Sequence, residues 1–211
     1  MKVTLVDYPR NADYKAYCAA KVCYSADGFD EIWGRTAMVL PKDEDPETDK
    51  ALKLLQGIVR AGHGSVLEHC TFTFSIEGIS RACSHQLIRH RIASYSQQSQ
   101  RYVRGEFFDY VTPKSITDGG TLLLEKYDEF MDETMKFYTQ MVNSGIPKED
   151  ARYILPNATT TNIVVTMNAR ELLHFIGLRM DKRAQWEIRE LAKEMLRQVK
   201  EVAPVIFGDL E

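Results

Sequence analysis

The sequence predicts an α+β fold, with a mixed or antiparallel sheet and packed helices, as a single domain spanning residues 1–211. Three observations carry that expectation. Thr71-Phe72-Thr73-Phe74-Ser75-Ile76 alternates strictly, so Phe72, Phe74 and Ile76 share one face of a half-buried strand. Leu123, Tyr127, Phe130, Phe137 and Met141 recur near helical spacing along Leu122–Val142, predicting one long helix with an apolar stripe turned to the core. The predicted strands do not alternate regularly with helices, which argues against a doubly wound sheet.

The remaining elements follow in order. Val3–Val6 reads as an opening strand, and Asp13–Tyr24 as a helix with Asn11 or Asp13 near its cap. Ser25–Pro46 is punctuated by Gly28, Gly34, Pro41 and a charged run, and is expected to be irregular. Glu47–Ala61 reads as a helix with Leu52, Leu55 and Val59 on one face, stopped by Gly62-His63-Gly64. Ser65 and Glu68 stand at capping-box spacing for a short turn. Gly78 is expected to end the Phe-rich strand. Ile79 to about Arg91 then reads as a helix that brings Gln86 onto one surface with Arg89 and His90, and Ile92–Arg104 as a loop leaving it. Lys148–Leu155 reads as a short helix, and Thr159–Met167, rich in β-branched residues, as a strand. Asn168 caps the next helix with Glu171 three residues on. Ala184–Val202 forms the last helix, with Trp186, Leu191, Met195 and Val199 turned inward.

Composition limits the class. The chain is 44% hydrophobic and 27% charged, enough apolar content for a real core and too much for disorder. No apolar run approaches the ~20 residues that span a bilayer, and Met1–Asp7 lacks the features of a signal peptide. A cytoplasmic protein without membrane partners is expected. Cys18, Cys23, Cys70 and Cys83 form no CxxC pair and read as free thiols, several of them core. Four of the five histidines fall between His63 and His90, but no HxxxH pair is present, so no metal site is assigned.

The strongest chemical signal is charge segregation. From Gly78 to Gly105 there are five arginines (Arg81, Arg89, Arg91, Arg101, Arg104), two histidines and no acid, in a chain whose net charge is -3. Ser94, Ser96, Gln97, Gln98, Ser99 and Gln100 lie between the arginines. Guanidinium forks bind phosphate and paired carbonyls bidentately, and hydroxyls add short hydrogen bonds. The segment therefore suits an anionic ligand with a planar polar head, such as a nucleotide. A solvated basic face paired with acids elsewhere is the plainer alternative.

Arg89-His90-Arg91, seven residues and then Ser99 resembles the signature of the flavin-dependent thymidylate synthases. Further segments resemble that family in the same order. They are Gly62-His63-Gly64-Ser65-Val66-Leu67-Glu68-His69 with the following strand, Ala151-Arg152-Tyr153-Ile154-Leu155-Pro156, Asn168-Ala169-Arg170, Leu178-Arg179 and Ala184-Gln185-Trp186-Glu187-Ile188. The resemblance implies a transferase, a methyltransferase that reductively methylates dUMP in dTMP biosynthesis. It implies methylenetetrahydrofolate as carbon donor, NADPH as reductant and bound FAD as hydride carrier. It also implies a homotetramer whose active sites draw on more than one subunit.

The resemblance further assigns residues. Gln86, Arg89, Gln97, Gln98, Ser99, Gln100, Arg101, Arg152 and Arg179 are expected to contact dUMP. Ser65, Arg89, His90, Arg91, Gln97, Asn168, Arg170 and His174 are expected to contact FAD. Arg179 is expected to be catalytic. Family members often carry an acid at Gln97, a glycine at Gln100 and an asparagine at His174, so these three positions depart from the pattern.

These residue types suit the chemistry. Uracil C5 becomes nucleophilic when negative charge on the N3 and carbonyl side is stabilised, and Arg179 can supply that stabilisation in a dry site. An arginine keeps its proton near neutral pH and is no base. Ser99 has no identified activating base and reads as a hydrogen-bond donor. No Pro-Cys dipeptide offers the thiol nucleophile of the other thymidylate synthase class, and no GxGxxG offers a Rossmann site. Two other functions remain open from the residues alone: a nucleic-acid-binding module using the arginines with Tyr95 and Tyr102, and a metal-dependent nucleotide hydrolase using the histidines.

Overall fold

The computed structural model describes residues 1–37, 46–103 and 109–210. Arg104, Gly105 and Glu106, and positions 38–45 of the segment expected to be irregular, lie outside the described residues. Four strands form one sheet: β1 (Lys2–Asp7), β2 (Thr71–Ser80), β3 (Ala93–Gln97) and β4 (Thr160–Asn168), in the order β1-β2-β4-β3. Thr73 and Thr166 share a hydroxyl hydrogen bond of 2.9 Å, and the Gly78 amide donates to Asn162 Oδ1 at 3.1 Å. Numbers rise along β2 as they fall along β4, so the pair is antiparallel. The sheet as a whole is antiparallel and the fold is α+β, as expected.

Contacts group the chain into two compact units, one of Met1–Lys2, Ile76–Arg89 and Tyr95–Val164, the other of Val3–Ser75, His90–Ser94 and Val165–Glu211. The second unit contains α1 (Ala12–Val22), α2 (Phe29–Ala37), α3 (Pro46–Arg60), a 3₁₀ turn (Gly64–His69), α8 (Ala169–Arg179), α9 (Trp186–Val202) and α10 (Pro204–Phe207). Helix α1 packs on α2, α3 and the 3₁₀ turn; α8 packs on α9 and the same turn. Leu172, Phe175 and Ile176 of α8 and Leu191, Met195 and Val199 of α9 are fully buried. The Phe72 ring meets Phe207 edge-on at 5.6 Å. Each such side chain contributes about 1.5–3 kcal/mol of hydrophobic stabilisation.

Two local expectations change here. Helix α2 forms inside the segment expected to be irregular. Phe29 stacks on Trp33 at 5.8 Å and Ile32 is buried, a helical pattern that Gly28 before it and Gly34 within it obscured. Asn11 occupies the N-cap of α1 without a side-chain cap bond. The buried Asp13 instead caps α10, its carboxylate accepting from the amides of Val205 (3.0 Å) and Ile206 (3.1 Å).

The first unit contains α4 (Arg81–Leu87), α5 (Lys114–Thr117), α6 (Thr121–Asn143), α7 (Lys148–Ala151) and a 3₁₀ turn (Arg152–Ile154). Strand β2 runs through Gly78 to Ser80 and does not end at it. Gly78 adopts φ +70, a left-handed conformation open to glycine, so the strand kinks and continues. The Ser80 hydroxyl then caps α4 by accepting from the Cys83 amide at 3.0 Å. Helix α4 stops at Leu87, so Arg89, His90 and Arg91 follow the helix and do not share a helical face with Gln86. The expected loop after them contains β3, whose Ala-Ser-Tyr-Ser-Gln sequence has no apolar alternation to reveal a strand. The long helix stands where expected, but its stripe is split: Tyr127 and Met141 are half-buried, while the other three residues turn outward. Met131 and Tyr138 are buried, whereas Leu123, Phe130 and Phe137 are 49%, 60% and 53% exposed. Both sets repeat every seven residues, and spacing alone cannot say which faces the core.

Cys18, Cys70 and Cys83 are buried, Cys23 is exposed, and all four are free thiols. Burial pushes the Cys70 thiol up to about 11. Among the described residues no helix is long and apolar enough to cross a membrane.

Asp13→Ala leaves two amides at the start of α10 without their carboxylate. It is expected to destabilise the fold by about 1–3 kcal/mol, read as a lower urea midpoint with unchanged slope.

Candidate active site

In the second unit the site is built on α8. Asn168 starts this helix, its side chain accepting from the Glu171 amide at 2.9 Å. The expected capping role of Asn168 is therefore realised, while that of Ser65 is not: Ser65 lies inside the 3₁₀ turn and its neighbour Glu68 turns to Arg170. Arg170 Nη1 donates to Glu68 Oε1 at 2.6 Å, with both side chains substantially exposed. The Arg170 side chain passes directly over Gly64, where an added Cβ would stand 2.9 Å from its Cδ and Nε.

At the next residue of α8, Glu171, a buried polar chain begins. His90 is only 4% exposed. Its Nδ1 lies 3.2 Å from Glu171 Oε1, and Arg179 Nε donates to its Nε2 at 3.0 Å. An arginine can only donate, so Nε2 accepts, Nδ1 carries the proton, and the imidazole is neutral. Phe175 presses edge-on against the ring at 4.9 Å, and His174 lies 5.6 Å away. Burial holds the His90 pKa below its ordinary value, helped by the Arg179 charge and opposed by Glu171. Arg179 lines a cleft of about 380 Å³ with Gly177, Leu178, Asp181, Arg183 and Ala184. The Gln185 side chain caps α9 by accepting from the amides of Glu187 and Ile188, which gives the Gln-Trp-Glu-Ile motif a structural task.

The first unit gathers the remaining residues. Gln86 stands one residue before the end of α4, and its carbonyl accepts from the Arg89 amide at 3.3 Å. Gln97 Nε2 donates to the hydroxyls of Ser84 (3.0 Å) and Thr161 (3.2 Å), while the Gln98 amide donates to the Asn162 carbonyl. Beyond β3 the chain turns. Ser99 Oγ accepts from the Arg101 amide at 3.2 Å, with Gln100 between them. Arg101 Nε donates to Glu149 Oε2 at 3.0 Å, and Arg152 Nε donates to the Glu149 carbonyl at 3.0 Å, so one acidic residue gathers two of the expected nucleotide arginines. Arg81 completes the group: burial and the Arg152 charge hold its pKa below the usual arginine value.

Within its own unit each set is thus partly assembled. His90, His174 and Arg179 converge, as do Arg101 and Arg152, while Arg89 and Arg91 point to solvent. Sequence reasoning did not assign Glu171, Glu149 or Arg81. Glu171 was hidden behind its position at N3 of a helix, where an acid ordinarily serves the cap. Among the described residues no group of three His, Cys, Asp or Glu side chains converges as a metal-binding set.

The thymidylate synthase complementing protein family matches residues 4–205. Flavin-dependent thymidylate synthases from three organisms illustrate the similarity. The Geobacter sulfurreducens protein is 49% identical over 99% of this chain and 86% of its own length. That from Pyrococcus abyssi is 46% identical over 98% and 83%, and that from Sulfolobus acidocaldarius 43% identical over 98% and 75%. The family match and these relatives make the chain an enzyme of the methyltransferase type. The chain belongs to the flavin-dependent thymidylate synthase family.

Proposed function

We propose that the protein methylates dUMP to dTMP in dTMP biosynthesis, with methylenetetrahydrofolate as carbon donor, NADPH as reductant and FAD as the bound cofactor. The observation that carries this reading is Arg179, held from behind by a buried imidazole and lining a cleft. A guanidinium fixed in that way suits the negative charge that develops on the N3 and carbonyl side of uracil as C5 becomes nucleophilic. It stabilises charge and does not remove the proton, because it remains protonated itself.

Gln86, Arg89, Gln97, Gln98, Ser99, Gln100, Arg101 and Arg152 would bind the nucleotide, the arginines taking its phosphate. FAD carries an anionic pyrophosphate and two planar polar ring systems. The chain offers matching donors in Ser65, Arg89, Arg91, Asn168, Arg170, Gln97 and His174, with Gly64 leaving room for the Arg170 side chain. The flavin supplies the hydride chemistry when bound. His90 enters the flavin set only through its neighbours, since its two ring nitrogens are engaged by Glu171 and Arg179.

One domain over residues 1–211, working as a homotetramer in the cytoplasm, completes the reading. The family match over residues 4–205 supports the single domain, and the free thiols support a reducing compartment. Assembly is supported by the outward stripe Leu123, Phe130 and Phe137, whose seven-residue repeat suits packing against a second copy of α6. No nucleic-acid or membrane partner enters this reading.

Five outcomes test it. A flavin absorbance band retained through gel filtration and perturbed by dUMP is expected. In Arg179→Ala the band persists while methylation falls by more than about 100-fold, the scale of losing one charge-stabilising donor. A flavin-free protein that binds DNA or RNA with strong salt dependence would instead favour the nucleic-acid reading. Gly64→Ala displaces Arg170 and breaks an exposed ion pair worth no more than about 1 kcal/mol. Thermal unfolding should barely move while flavin affinity falls. Phe130→Glu with Phe137→Glu places charge on the α6 stripe and is expected to reduce the assembly to smaller species in sedimentation.

A further inference from the structure

We propose that Glu171 and His90 form a buried positioning relay that fixes the orientation of the Arg179 guanidinium for the pyrimidine. The proposal rests on the assignment of Arg179 to dUMP given above. It assigns Glu171 a task beyond the cap position read from the sequence, and moves His90 from the cofactor to the substrate side of the reaction.

The geometry carries it. Three side chains lie in series, Glu171 Oε1 to His90 Nδ1 at 3.2 Å and His90 Nε2 to Arg179 Nε at 3.0 Å. Glu171 and His90 are 7% and 4% exposed, so neither is a solvated surface group. A buried carboxylate and imidazole without mutual bonds would each be strongly disfavoured, and the series satisfies both. Phe175 blocks rotation of the ring from one side. Glu171, His174, Phe175 and Arg179 all belong to α8, so a single rigid helix sets the spacing of the parts.

The polarity of the chain matters. The carboxylate accepts the Nδ1 proton, which fixes the tautomer and leaves the Nε2 lone pair for Arg179. The same logic orients imidazoles that act as metal ligands. Binding through Nε fixes the inner edge of the guanidinium and so the plane in which the group lies. Protonation of His90 would put an N–H against the Arg179 N–H and break the contact. The charged and titratable groups that face His90 are Glu171, Arg179 and His174, and only Glu171 favours the imidazolium.

The test compares Glu171→Gln, Glu171→Leu, His90→Gln and Arg179→Ala in the flavin-loaded enzyme. It measures kcat, KM for dUMP, dUMP affinity from the flavin difference spectrum, and the pH profile of kcat. Glu171→Leu should lower kcat by about 10- to 100-fold, the range for losing an orienting partner of an active-site group, with flavin retained. Glu171→Gln and His90→Gln each keep an oxygen acceptor in the series and should recover most of kcat. In the wild type kcat falls on the acid side, below the ordinary histidine value, as His90 takes a proton. Glu171→Gln removes the charge that favours the imidazolium, so this limb should move to lower pH; a side chain that merely fills space would leave it in place. Wild-type kcat in Glu171→Leu, or an unmoved limb in Glu171→Gln, would overturn the relay while Arg179→Ala remains inactive. An active Arg179→Ala would instead remove the assignment on which the relay stands. Should Glu171→Leu fail to fold, the limb in Glu171→Gln decides alone.

Discussion

A buried imidazole has to satisfy two nitrogens at once, and His90 does so with a carboxylate and a guanidinium from the same helix. That requirement ties the segment His90–Ser94 to α8. It also explains the form of the Arg-His-Arg motif. Helix α4 has already ended at Leu87, so the three residues are free of helical geometry. The ring turns inward, and the arginines on either side turn to solvent. A motif of three polar residues thus separates into one group that organises the protein and two that are available to an anion.

Charge is distributed by the same logic. Arg101 and Arg152 are gathered on Glu149, and Arg170 on Glu68, by exposed contacts that contribute about 0–1 kcal/mol each. Such pairs do little for stability. They hold long side chains in place, and water or a ligand phosphate can replace them at small cost. The buried Asp13 is the contrast: with no water to compete, its two amide bonds fix the entry of α10 and so the position of Phe207 against Phe72. Burial decides which polar contacts are structural.

Helix α6 shows hydrophobic pattern without burial. Its two apolar rows are offset by one residue, and only Met131 and Tyr138 are covered by their own chain. The other row leaves three large side chains on the surface of this chain.

Much of this was legible in the residues. Strict alternation marked β2, β-branching marked β4, α1, α3, α6 and α9 stood close to their expected limits, and α8 began at its expected cap, because local periodicity and caps act within one element. The ordered motifs from Gly62 to Ile188 marked the family. What sequence could not supply were relations between elements and choices between equivalent faces. Strand β3 owes its existence to its neighbour β4 and not to its own polar residues. Helix α2 was masked by its glycines, and the inward face of α6 was set by what it packs against. Glu171 looked like a cap and proved to be the partner of a ring 81 residues away. By itself, the sequence determined the elements, the cationic stretch and the family, since these are written in neighbouring residues. Only the tertiary structure decided that the middle of the Arg-His-Arg motif is buried against α8, because burial and hydrogen-bond partnership are properties of residues brought together from distant parts of the chain.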